Sequence, residues 1–188
     1  MQHSAPASPA AGLDEATLAF VRRVFQAARA GDTPTMAELL VQGLPPNLRN
    51  ERGDSLLMLA CYHGHADTAR ILLAHGADPE IMNDAGQTPL AGAAFKGDLE
   101  VTTVLLDGGA GVDTAGPNGK TALAFAAMFN REDIARLLLA RGADPELRDA
   151  DGLSPLALAM RMGAADTAAL LSKTSGTPVG ATTCIPLG

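Results

Sequence analysis

The chain has 188 residues, of which 47% are hydrophobic and only 3% aromatic, so it has enough apolar material for one folded domain. Its formal net charge of −7 argues against nucleic acid or an anionic membrane as the main partner, because both require basic patches. Two cysteines are too few for a disulfide framework, and no apolar run reaches the roughly 18 residues of a membrane-spanning helix. The N-terminus lacks the basic and apolar regions of a secretory signal, so we expect a cytoplasmic protein with no membrane partner.

The chain divides into three parts by its pattern. Residues 1–16 are rich in Ala, Pro and Ser and predict a flexible segment. Residues 17–172 repeat with a period of 33, since Gly53, Gly86, Gly119 and Gly152 are evenly spaced and two further glycine series share the step. A fixed period of about 20 to 50 residues indicates a solenoid built from one supersecondary unit. Residues 173–188 lack the period and predict a disordered tail.

Five copies of the unit predict an all-α array, with repeats near residues 18–50, 51–83, 84–116, 117–149 and 150–172. In each full copy a glycine turn leads to a helix N-cap, at Ser55, Thr88, Thr121 and Ser154. A short apolar helix follows, and a leucine-rich second helix ends at a glycine suited to the left-handed conformation. The leading helix of the first copy is predicted to start as early as Asp14.

The repeats resemble the ankyrin repeat family. The residues that carry the resemblance are "TPL" at Thr88–Leu90, "SPLALA" at Ser154–Ala159, and the segments "LLAHGADPE" and "LLARGADPE". The resemblance covers roughly residues 18–172 and implies a curved stack of antiparallel helix pairs with projecting turns. The usual family histidine after "TPL" is absent, because those positions are Met58, Ala91, Ala124 and Ala157. We therefore expect looser turns than in a consensus array.

Three of the four histidines fall within a short stretch, at His63, His65 and His75. A zinc site needs three or four converging ligands, whereas the repeat frame places His65 at the start of a second helix and His75 at its end. Structural roles and no metal site are therefore predicted. One alternative is a metal- or redox-linked protein that uses His63 and His65 with Cys61 or Cys184. Cys61 occupies a small-residue position and is expected in the core.

Catalytic motifs are missing from the sequence. It has no nucleophile–base constellation, phosphate-binding loop or dinucleotide fingerprint in the required context. We predict no catalytic residue, no cofactor and no enzymatic activity.

The resemblance also implies where a partner binds, because the family uses its turn tips and the last residues of each first helix. The concave positions are Tyr62, His63, Phe95, Lys96, Met128, Phe129, Arg161 and Met162. The turn-tip positions are Arg52, Asp54, Gln87 and Lys120. Aligned aromatic side chains are typical of a binding hot spot, although packing against neighbouring turns would also explain them. Phe20, Phe25 and Phe125 are expected in the core.

These features predict a non-catalytic protein-interaction module that is a monomer when free and binds a protein partner that the sequence does not identify. One alternative is an accessory or neutralising partner of an enzyme or a toxin. Another alternative is a self-assembling module in which copies of the chain bury Tyr62, Phe95 and Phe129 between them.

Overall fold

The computed structural model describes residues 14–174. Within that range it contains ten helices, paired as five repeats. They are α1 (Glu15–Ala30), α2 (Thr33–Val41), α3 (Leu56–Tyr62), α4 (Ala66–Ala74), α5 (Pro89–Lys96), α6 (Leu99–Asp107), α7 (Ala122–Met128), α8 (Glu132–Ala140), α9 (Pro155–Met162) and α10 (Ala165–Thr174). Most of the predicted flexible segment and tail, residues 1–13 and 175–188, lies outside the described residues.

The helices form two rows. The inner row consists of α1, α3, α5, α7 and α9, each packed against the next, and the outer row consists of α2, α4, α6, α8 and α10. Among the described residues, the main contacts of each repeat are with the adjacent repeats, as in a linear stack. The predicted all-α solenoid of stacked helix pairs is confirmed. None of the helices in residues 14–174 is both long and apolar enough to cross a lipid bilayer.

The predicted N-caps are present at the starts of α3, α5, α7 and α9. The side chains of Ser55, Thr88, Thr121 and Ser154 each accept a hydrogen bond, 3.1–3.3 Å long, from the backbone N–H three residues ahead. The leading helix is capped in the same way by Asp14, whose carboxylate accepts from Thr17 N at 2.6 Å. These bonds satisfy N–H groups that the helices leave free, so the sequence signal has a direct structural cause.

Asn130 stands where the other full repeats have glycine between their two helices, and its φ of 53° is the one positive value of a described non-glycine residue. Asparagine tolerates this left-handed conformation better than most residues. Its side-chain oxygen accepts hydrogen bonds from Asp166 N at 3.1 Å and Thr167 N at 3.2 Å. Asn130 therefore ties the fourth repeat to the start of α10, which the glycine pattern alone does not show.

The core follows the same period. Ala60, Ala93, Ala126 and Ala159 are fully buried between inner-row helices, and the leucines at 72, 105, 138 and 171 are fully buried beneath the outer row. Small side chains let the inner helices approach closely, while each buried leucine contributes about 1.5–3 kcal/mol.

Asparagine and aspartate side chains hold the turns at which the family histidine is missing. Asn83 Oδ1 accepts from Ala85 N and Gln87 N, and its Nδ2 donates to Asp54 Oδ1 of the preceding turn at 3.0 Å. Asn50 and Asp149 accept two backbone N–H groups each in the same manner. These bonds brace the turns locally and connect the first turn to the second.

The expectation that Phe20 belongs to the core is wrong, because 44% of its surface is exposed. Phe20 lies in the first turns of α1, which extend beyond the length of the inner helix in the other repeats. No earlier helix in the described residues stacks on this extension. Phe25, by contrast, is buried as expected, and Phe125 is half-buried.

Candidate protein-binding groove

A groove of about 1380 Å³ runs between the inner row and the turn tips of the first repeats. Its floor comes from α1, α3, α5 and α7, and its wall comes from the turns around Arg52 and Gln87. The charged, polar and apolar side chains that line it include Arg22, Arg29, Arg49, Glu51, Arg52, Asp54, Tyr62, His63, Asp84, Gln87, Phe95, Phe125, Met128 and Phe129. We call this surface the groove.

Aromatic side chains form the centre of the groove. The rings of Phe95 and Phe129 meet edge to face, with centroids 4.6 Å apart and an angle of 83° between planes. Lys96 Nζ lies 4.2 Å from the centroid of the Tyr62 ring. Tyr62 remains 46% exposed and Phe95 37% exposed, so both present apolar surface to solvent. Edge-to-face and cation–π contacts each favour this arrangement by about 0.5–1.5 kcal/mol before any partner binds.

The floor of the groove opens at Gly92. Gly92 occupies the position equivalent to Leu59 and Phe125 in the neighbouring repeats. A Cβ placed on Gly92 would meet no atom within 4 Å. The missing side chain therefore leaves unfilled space next to Phe95, which a side chain of a partner can occupy.

His63, in the lining of the groove, stacks against His65, with ring centroids 6.3 Å apart and an angle of 17° between planes. His65 Nε2 lies 2.9 Å from the carbonyl oxygen of Arg29, which ties α4 to the end of α1. The pKa of His63 is lowered, first by partial burial and then by its electrostatic interactions with His65, Lys96 and Arg29. This environment favours the neutral form of the His63 imidazole.

The metal- or redox-linked alternative has no support in the described residues. Within residues 14–174 no three His, Cys, Asp or Glu side chains converge to hold a metal ion. The sulfur of Cys61 is buried, and that burial raises the pKa of the thiol, with Asp98 adding to the effect. A buried thiol with a raised pKa is a poor nucleophile. Cys184 lies outside the described residues.

The twelve sequence-predicted binding residues do not all reach the groove. Eight of them line it: Arg52, Asp54, Tyr62, His63, Gln87, Phe95, Met128 and Phe129. Lys96 lies beside it over Tyr62. Arg161 and Met162 are exposed at the end of α9, beyond the groove, and Lys120 pairs with Asp149 instead, Nζ to Oδ2 at 2.8 Å.

Residues from α1 complete the groove, although none of them is among the twelve predicted binding residues. Arg22, Phe25 and Arg29 all line it. Arg29 occupies the position equivalent to Tyr62 one repeat earlier, so the period does place it at the concave end of a first helix. Arg22 aligns with the N-cap positions Ser55 and Thr88 of the following repeats, so the period predicts a capping position there and gives no signal for binding.

The paired helices, the capped turns and the concave groove define an α-helical repeat scaffold for binding another macromolecule. A family model described as "Ankyrin repeats (3 copies)" matches residues 24–115 and 92–182. The chain therefore belongs to the ankyrin repeat family, whose members generally act as non-catalytic modules of protein–protein interaction.

A relative in Pseudomonas aeruginosa, which bears the name ankyrin repeat protein PA3287, is similar to part of the chain. The two are 60% identical over 63 residues, which is 34% of this chain and 37% of that relative. The match therefore spans little more than a third of the length of the relative.

Proposed function

We propose that this chain is a non-catalytic interaction module that binds a partner protein through the groove. The observation that carries the proposal is the fixed, partly exposed group of Tyr62, Phe95 and Phe129 on the concave side. Aromatic side chains held in place lose little conformational entropy on binding and dominate most interface hot spots.

The turn tips have a secondary role in this proposal. Arg52, Asp54 and Gln87 line the wall of the groove, where polar side chains select among partners and steer their encounter. Arg161 and Met162 extend the same concave side beyond the groove and offer contacts to a longer partner.

A capture experiment with a matched control tests the proposal. Wild type, the groove variant Tyr62→Ala/Phe95→Ala/Phe129→Ala and a control variant would be incubated with lysate of the source cell, and captured proteins titrated against each. The control, Val41→Ala/Leu99→Ala/Leu147→Ala, also removes three exposed apolar side chains, none of which lines the groove. Circular dichroism would first establish that all three proteins fold.

A partner bound by wild type and control, but at least about 30-fold more weakly by the groove variant, supports the proposal, since a hot spot contributes about 2 kcal/mol or more. Equal affinity for all three proteins would move the site to another surface and contradict it.

We also propose that the free chain is a cytoplasmic monomer. The buried free thiol of Cys61 suits a reducing compartment, and the exposed groove is available only if no second copy covers it. Light scattering across a range of concentrations measures the mass directly. A stable dimer that the groove variant dissociates would show instead that the groove is a self-association surface.

A further inference from the structure

Charged side chains are divided unequally between the two rows of helices. The inner row carries five basic residues and one acidic residue: Arg22, Arg23, Arg29, Lys96, Arg161 and Glu15. The outer row carries seven acidic and three basic residues. A chain with a net charge of −7 thus has helices that are positive on the concave side and negative on the convex side.

The cations of the two rows also differ in their partners. On the outer row Arg70 pairs with Asp67 at 2.5 Å and Glu100 at 2.8 Å, and Arg136 pairs with Glu132. On the inner row Arg22, Arg29 and Arg161 form no ion pair with any carboxylate in residues 14–174. Arg70 and Arg136 are thus neutralised within the fold, whereas Arg22, Arg29 and Arg161 remain available to a ligand.

The helix dipole explains only part of this distribution. Arg29, Lys96 and Arg161 lie in the last turns of their helices, where a cation is stabilised in any case. Arg22, however, lies in the middle of α1 and still lines the groove. Arg52, at a turn tip, lines it as well and forms no ion pair with a described carboxylate.

Acidic residues also line the groove, but most of them are engaged. Asp84 Oδ1 pairs with Arg49 Nη2 at 3.1 Å, and Asp54 accepts hydrogen bonds from Asn50 and Asn83. Neither Asp54 nor Glu51 forms an ion pair within the described residues. The amides that bond Asp54 are neutral and leave its charge in place. Three arginines without an ion pair (Arg22, Arg29 and Arg52) therefore share the groove with two such carboxylates, and the unneutralised charge of its lining is positive by one unit.

We propose that the groove takes an acidic, extended segment of a partner protein, whose carboxylates face Arg22, Arg29 and Arg52 while an apolar side chain enters the space at Gly92 beside Phe95. This inference rests on the proposed function and adds the chemistry of the partner to it. Carboxylates of the partner are attracted by unpaired guanidinium groups, and the apolar side chain completes the aromatic group.

Selection from a random peptide library displayed on phage tests the inference with a defined probe. Wild type would be the bait, and enriched peptides would be synthesised together with analogues in which Asn replaces Asp and Gln replaces Glu. Each peptide would then be titrated against wild type, Arg22→Gln/Arg29→Gln and the control Arg136→Gln/Arg141→Gln, whose arginines lie on the outer side.

We expect enriched peptides that are rich in Asp and Glu and contain an aromatic or aliphatic residue. Their affinity should fall about tenfold or more for the neutral analogues and for Arg22→Gln/Arg29→Gln, and the control variant should bind like wild type. Raising the salt concentration should weaken binding to wild type more than to Arg22→Gln/Arg29→Gln.

Neutral or basic peptides that still need Tyr62, Phe95 and Phe129 would overturn this inference and leave the proposed function standing. Peptides that bind the triple alanine variant as tightly as wild type would overturn both. The inference also fails if no peptide is enriched, or if a single-stranded DNA oligonucleotide of equal charge binds as tightly as the peptides.

Discussion

Asp149 is the one charged side chain that the fold buries among the described residues. Its Oδ1 accepts hydrogen bonds from Asp151 N at 3.0 Å and Leu153 N at 2.9 Å, and its Oδ2 lies 2.8 Å from Lys120 Nζ. The bond from Lys120 is the main reason why the pKa of Asp149 is lowered, and it outweighs the opposing effect of burial. Lys120 thus joins two successive turns, and this role accounts for its position without a partner protein.

Replacing the Asp149 carboxylate should destabilise the protein at neutral pH and destabilise it less in acid. We expect Asp149→Asn to lower the free energy of unfolding by about 1–3 kcal/mol at pH 7, because a buried charge-assisted hydrogen bond is lost. Since the folded-state pKa lies below the ordinary 3.8, the stabilisation is complete above that value and disappears as pH falls through the folded-state pKa. Urea titrations at pH 7 and pH 3 measure both effects. The exposed Asp151→Asn serves as control, and a difference that stays constant with pH would contradict the assignment.

Two glycines should respond to alanine in opposite directions. A Cβ on Gly116 would lie 2.0 Å from the carbonyl oxygen of Gly86, so the backbone must shift, and we expect Gly116→Ala to destabilise the protein by about 1–3 kcal/mol. Gly92 lies within helix α5, and a Cβ there would meet open space. Gly92→Ala should therefore stabilise the protein by about 0.5–1 kcal/mol. Thermal and urea unfolding of both variants check the signs. A stabilising Gly116→Ala would show that Gly116 does not pack tightly against the carbonyl oxygen of Gly86.

Helix boundaries could be predicted from the sequence because glycine, serine, threonine and proline act locally. The side chain of Thr121 caps α7 whatever the rest of the chain does, so its position alone predicts the start of that helix. Phe20 was placed wrongly because burial depends on what stacks against a helix, and the end of an array lacks a neighbour. Asn130 could be recognised as a replacement for glycine, but its bonds to α10 depend on the distance between two repeats.

The last inner helix, α9, exposes a side chain whose equivalent in α7 is buried. Met160 corresponds to Ala127, yet 69% of Met160 is exposed whereas Ala127 is fully buried between α7 and α9. We expect Ala127→Met to destabilise the protein by about 1–3 kcal/mol through overpacking, while Met160→Ala changes stability by less than about 0.5 kcal/mol. Urea unfolding of the two variants gives the comparison. Equal effects would mean that another part of the chain covers Met160.

At the scale of the whole molecule, the period predicts which residues share a face but not how charge is distributed in space. The aromatic positions at 62 and 95 were found because they recur every 33 residues. The positive concave row became visible only when the structure showed which helices lie side by side and which arginines are paired. Net charge averages over both rows and conceals the difference.

In a linear stack, the region that unfolds should depend on which repeat carries the destabilising substitution. Leu105 and Leu171 occupy equivalent, fully buried positions in the third and fifth repeats, and truncation of either to alanine removes about 2–5 kcal/mol. Helix α6 packs against both α4 and α8, whereas α10 has no further helix beyond it in the described residues. Leu105→Ala should therefore weaken the whole array, but Leu171→Ala should loosen mainly α9 and α10.

Amide hydrogen exchange measured by mass spectrometry distinguishes the two cases. In Leu171→Ala we expect faster exchange in α9 and α10 with α3 to α6 close to wild type, while Leu105→Ala should raise exchange on both sides of α6. The exposed Leu147→Ala, which removes a leucine outside the core, controls for the loss of leucine itself. If Leu171→Ala accelerated exchange in α3 as much as in α10, the five repeats would unfold as one cooperative unit. Local interfaces between neighbouring repeats would then not determine the stability of the binding groove.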